Sequence, residues 1–155
     1  MWLSSTAQTA LRALVHIASC GDATPVQAEQ IARAIGAPRN YLSKTLHVLA
    51  RAGVLDSKRG PQGGFALAVP AADLRLDRII APFAPTNARR CLLGREGCGT
   101  TSRCVVHARW SAVAAEVEHF LATTTVADLL AESSPQAQSP PPVLLEDLAH
   151  ARSSR

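Results

Sequence analysis

Cys91, Cys98, Cys104 and His107 lie within seventeen residues, on a glycine-containing stretch that opens CLLGREGCGTTSRC and runs on into a helical pattern. Thiolates and imidazole are the donors that soft metal ions and iron–sulfur clusters take, so the group reads as a metal or cluster site. Structural zinc sites usually open with two ligands roughly two to four residues apart. No two of these cysteines stand so close, and the wider spacing favours an iron–sulfur cluster. Arg89, Arg90, Arg95 and Arg103 surround the thiols, where cations favour thiolates and offset the negative charge of a thiolate-bound cluster. A zinc site and a metal-free thiol switch remain the alternatives. His107, three residues past Cys104, falls one helical turn along and can complete a three-Cys, one-His set. Its bland reading is an imidazole on a helix surface. A catalytic zinc would need an open coordination position and a general base, and the stretch offers Glu96 as its one carboxylate. With no other catalytic constellation in view, the chain does not read as an enzyme.

A loop of this kind needs a scaffold. The 155 residues, 47% of them apolar, suffice for one compact domain with an added element rather than two independent cores. No leader pattern opens the chain, and no apolar run approaches the roughly 18 residues of a membrane span. A soluble, cytoplasmic protein without a membrane partner is expected. In that compartment cysteines are free, metal-bound or redox-active rather than bridged. Cys20, apolar on its flank in LVHIASC, reads as a buried structural thiol. Of the formal charge of +4, the excess sits at the front: residues 1–70 carry seven Lys/Arg against three Asp/Glu, and residues 71–131 seven against six. A basic excess confined to one module fits a nucleic-acid reader.

Residues 3–19 place Leu3, Ala7, Ala10, Leu11, Leu14, Val15 and Ala18 at helical spacing before Gly21 and Asp22. A second helix is expected to start with Thr24 as N-cap, Pro25 at its first position and Gln27 completing a capping pattern, and to stop at Gly36. After the turn GAP, a third helix over about 38–51 turns Leu42, Leu46 and Leu49 inward. Its other side carries Arg39, Asn40, Ser43, Lys44 and His47, with Tyr41 counted on the same reading surface. Two short helices joined by a tight turn, the second rich in basic and amide groups, form a helix-turn-helix that fits a major groove. Arginine and lysine pair with guanine edges or phosphates, and asparagine suits adenine. Gly53 ends the third helix. VLDSKRGPQGGFALAV then reads as two strands around a glycine- and proline-rich tip, a wing that carries Lys58 and Arg59 toward the DNA backbone.

Farther on, Leu74, Leu76, Ile79 and Ile80 predict a short connector helix ended by Pro82. Val106, Trp110, Val113, Val117 and Phe120 alternate steps of four and three, a heptad seam on a helix of about eighteen residues. That seam reads as a dimer interface, with packing against its own domain as the alternative. TTTVADLL reads as one capped turn folding back, and ESSPQAQSPPP as a linker without packed structure. The fold class is thus mainly α with a small β wing: a winged helix-turn-helix domain over 1–70, a connector, cysteine loop and dimerisation helix over 71–131, and a disordered tail over 132–155.

The combination of ALRALVHIA, NYLSKTLHVLARAGVL, the wing signature RGPQGGF and a three-cysteine loop resembles the Rrf-two family of bacterial transcription regulators over about residues 1–130. The resemblance implies a homodimer whose winged helices bind a palindromic operator in double-stranded DNA, through Arg39, Asn40, Ser43 and Lys44 of the reading helix and Arg59 of the wing. One branch of that family holds a 2Fe-2S cluster on three cysteines and a histidine, the pattern matched by Cys91, Cys98, Cys104 and His107. Another, sensitive to nitric oxide, holds a 4Fe-4S cluster with a carboxylate from the partner's first helix, where this chain places Gln8. An amide is a poor substitute, so the 2Fe-2S form is favoured and the 4Fe-4S form kept open. The implied signal is redox state, nitric oxide or iron–sulfur supply. Some family members lack clusters, which leaves a zinc- or thiol-dependent regulator as the alternative.

Overall fold

The computed structural model describes residues 3–21, 24–60, 63–84 and 106–132. The three cysteines of the loop, the wing tip at 61–62 and the tail from 133 lie outside them.

Helix α1 (Ser5–Ser19) begins where the Ser4 hydroxyl accepts the Ala7 N–H at 3.1 Å. Its inner stripe is Ala7, Ala10, Ala13, Leu14, Ile17 and Ala18, small residues alternating with large ones so that neighbouring helices can lie close. Cys20, expected inside, is exposed. The buried stripe ends at Ala18, and two further residues of rotation carry Cys20 off that face, with its sulfur 4.0 Å from His16 Nε2.

Helix α2 (Ala28–Ile35) starts three residues later than the sequence predicts. Val26, which would have lain in its first turn, exchanges two backbone hydrogen bonds of 2.9 Å with Phe65 of the wing. That pairing satisfies a donor a helical first turn would leave open, and it buries Val26. Gln27 becomes the N-cap in a capping box with Gln30. A β-carbon on Gly64 would sit 2.5 Å from the Val26 carbonyl oxygen, so only glycine lets the strand come this near. Gly36 closes α2 in the left-handed conformation, φ 65°.

Helix α3 (Arg39–Arg51) buries Leu42, Leu46 and Leu49 completely. Strands β1 (Leu55–Lys58) and β2 (Gly64–Leu67) pair antiparallel in the register Leu55↔Leu67 through Lys58↔Gly64, which is the expected wing. Helix α4 (Leu76–Ile80) runs into a 3₁₀ turn, Ala81–Phe83, that accommodates Pro82 instead of stopping before it. Helix α5 (His107–Thr123) contains no buried residue and packs against α4. The chain then returns: Leu76 N–H bonds Thr124 O at 3.0 Å, and Val126 N–H bonds Leu74 O at 2.9 Å. These seat helix α6 (Val126–Glu132) against α1, with Val126 in the core. Thr125 caps α6, its backbone N–H and hydroxyl both donating to Asp128. No helix among the described residues is long and apolar enough to cross a membrane.

Candidate nucleic-acid interface and sensor helix

The leucine stripe of α3 fixes which side of the helix faces out. Steps of four and three keep Leu42, Leu46 and Leu49 on the core, so Arg39, Asn40, Lys44 and His47 are exposed and Ser43 is half-buried. Six of the eight residues singled out for DNA therefore share one helix surface, and Lys58 and Arg59 stand exposed at the end of β1.

They are not equally available. The described residues offer Lys44, Lys58 and Arg59 no carboxylate, as phosphate-seeking groups require. Tyr41 donates its hydroxyl to Thr6 Oγ1 at 2.6 Å, tying α3 to the start of α1, and is 37% exposed. Thr45, buried, bonds back to the Tyr41 carbonyl at 3.2 Å. The His47 ring meets Phe65 edge-on, centroids 5.4 Å apart, which joins the reading helix to the wing strand. Arg39 Nε lies 3.1 Å from Glu29 Oε2, while the other oxygen of the same carboxylate takes Arg33 at 3.4 Å.

Sequence reading missed Glu29 and Arg33 on this surface. Their spacing of four on α2 was visible, but Arg39 joins them across two helices, which no periodicity encodes. It also missed Arg78. From α4 this side chain donates to the Gly53 carbonyl at 3.0 Å, just past the end of α3, where a cation complements the negative end of a helix.

Of the four residues expected to hold a metal or cluster, His107 is described. It is the first residue of α5, half-buried, with Ser111 Oγ 3.4 Å from its Nε2 and donating to its carbonyl at 2.8 Å. Cys91, Cys98 and Cys104 lie outside the described residues. Along α5, Val113 is 50% and Phe120 54% exposed, while Val106, Trp110 and Val117 are half-buried.

Residues 3–132 match the profile of the Rrf2 family, described as an iron-dependent transcriptional regulator. An HTH-type transcriptional regulator of Aquifex aeolicus (strain VF5) is 34% identical over 133 residues, which cover 84% of this chain and 92% of that protein. The HTH-type transcriptional regulator IscR of Serratia proteamaculans (strain 568) is 30% identical over 131 residues, 84% of this chain and 79% of its own length. Among solved structures, T. potens IscR superposes with a TM-score of 0.70 at 27% identity, covering 90% of this chain and 92% of that one. With an exposed basic helix beside a two-stranded wing and these likenesses along its described length, the chain belongs to the Rrf2 family of DNA-binding transcriptional regulators and is not an enzyme.

Proposed function

We propose that the chain is a cytoplasmic, homodimeric regulator that binds a palindromic operator and reports the state of an iron–sulfur cluster held by Cys91, Cys98, Cys104 and His107. The observation that carries this reading is α5: a helix of 17 residues that opens on His107, buries none of its residues and leaves Val113 and Phe120, two turns apart, turned outward. A face of that kind is stable when a second copy covers it, and two-fold pairing places two reading helices on two half-sites.

The donor set fits an iron–sulfur group, because three thiols and an imidazole match its ligand chemistry and arginines flank them in the sequence. When bound, the group supplies a centre sensitive to oxidation and to nitric oxide. The chain itself carries three cysteines in the stretch of sequence that leads to the imidazole opening α5, so that ligation of all four would bear on the position of that helix. Gln8 is exposed, with its side-chain amide donating to the Leu3 carbonyl at 3.3 Å, and an amide oxygen there is a weaker ligand than a carboxylate. That supports the 2Fe-2S form with His107 over a 4Fe-4S form. On the DNA side, Arg39 and Asn40 suit base edges, Ser43 and Lys44 phosphates, and Lys58 and Arg59 the backbone beside the wing.

The test is iron and acid-labile sulfide per chain, with a visible spectrum, on protein isolated without oxygen. About two of each supports the four-residue site, and about four points to another fourth ligand. Neither, even after reconstitution, leaves a zinc- or thiol-dependent regulator.

A further inference from the structure

The carboxylate of Glu29 stands inside the surface that the proposed function assigns to DNA. It lies on α2, with a side chain 42% exposed, and it divides its two oxygens between arginines: Oε2 to Arg39 Nε at 3.1 Å, Oε1 to Arg33 at 3.4 Å. The side chains of Arg39 and Arg33 remain 69% and 80% exposed. Pairs this exposed contribute little to folding, on the order of 0–1 kcal/mol. A negative charge on a surface that must approach phosphates opposes binding, so its presence there needs a reason other than stability.

The geometry supplies one. Glu29 approaches Arg39 closest at Nε, and the arginine side chain stays 69% exposed, so the outer part of the fork faces solvent where a partner would come in. A guanine edge, with O6 and N7 side by side, takes two donors of such a fork at once, whereas a phosphate is satisfied by a loose cation in many orientations. We infer that Glu29 is a specificity-determining residue: it orients Arg39 for bidentate contact with a guanine and cancels part of the charge that would otherwise bind any duplex. The inference rests on the reading that α3 enters the groove through Arg39.

The probes are a duplex selected by the wild-type chain from a random-sequence pool and a shuffled duplex of equal length, each titrated with full-length protein over a range of salt. In Glu29→Gln, binding to the shuffled duplex tightens and its salt slope steepens by about one, as one more cation engages phosphate. Preference for the selected duplex falls roughly tenfold, within the range of one bidentate contact. The melting temperature holds. Arg39→Gln loses the preference too, and adding Glu29→Gln to it lowers preference no further, since the two act as one unit. If Arg39→Gln loses preference while Glu29→Gln leaves preference and slope unchanged, the inference fails and the docking of α3 stands. A Glu29→Gln effect that persists without Arg39 also overturns it. If Arg39→Gln changes nothing, both the inference and the docking fall.

Discussion

Helices α3 and α5 place their apolar residues in opposite ways. In α3 the apolar stripe faces inward, with Leu42, Leu46 and Leu49 at 0% exposure, and the cations face out. In α5 Val113 and Phe120 face out at 50% and 54%, Trp110 and Val117 are half-buried, and the helix has no buried residue at all. The outward face of each helix indicates the kind of surface it meets. Exposed cations and amides suit a polyanion, which they can meet without desolvating apolar groups. Exposed apolar groups gain from contact with other apolar groups, which the proposed second copy would supply.

Substitutions can break that contrast, and the largest effect is expected inside α3. Leu46→Ala should cost about 2–5 kcal/mol in a denaturant melt, because a fully buried leucine leaves both lost burial and a cavity. The same truncation at Val113 should leave a monomer's stability within about 0.5 kcal/mol while weakening self-association, read by sedimentation over a concentration series. A Val113 variant that melts like the Leu46 variant would show that the Val113 face of α5, and not only its α4 side, packs within its own chain. Next in size, Cys98→Ala should remove iron and sulfide from anaerobically isolated protein with the helical circular dichroism unchanged. If that variant keeps its visible spectrum and regulated operator binding, the cysteine loop is not the sensor.

On the DNA side, Arg59→Ala should weaken operator binding by about 1–2 kcal/mol, and Lys44→Ala should chiefly flatten the salt slope by about one unit. Equal binding in both variants would detach the wing and α3 from DNA. The smallest effect belongs to the cap of α6. Thr125 donates its backbone N–H and then its hydroxyl to Asp128, holding that carboxyl below its ordinary value of 3.8. A carboxyl lowered in the folded state contributes stability above the unfolded value, and that contribution fades as pH falls through the folded one. Asp128→Asn should therefore lower stability slightly at neutral pH and flatten its dependence on pH below about 4, as thermal melts across that range would register.

What the sequence made legible is what local chemistry controls. The leucine spacing of α3, the stop at Gly36 and the hairpin of the wing all follow from residues a few positions apart. The start of α2 did not, because Phe65, far along the chain, claims the backbone of Val26 and overrides a good capping signal at Thr24. Cys20 was misread because apolar neighbours in sequence are not neighbours on a helix face. Within the candidate site, the exposed residues of α3 were readable from the stripe opposite them. The contacts that set their availability, Glu29 to Arg39, Thr6 to Tyr41 and Phe65 to His47, cross between elements and carry no sequence period.

The backbone bonds that return the chain after α5 make that helix a lever. At about 1.5 Å per residue its 17 residues span roughly 25 Å, from His107 at the N-terminal end to a clamp where Thr124 and Val126 are bonded to Leu76 and Leu74. A sideways shift of 2 Å at the His107 end is then a tilt of about five degrees at the clamp. The clamp is built on the stretch that leads into α4, and from α4 Arg78 reaches the carbonyl just beyond the reading helix. Motion put in at the His107 end would therefore arrive, reduced in size, at the foot of α3, where under the proposed dimer small angular changes would decide whether two heads fit successive turns of a duplex.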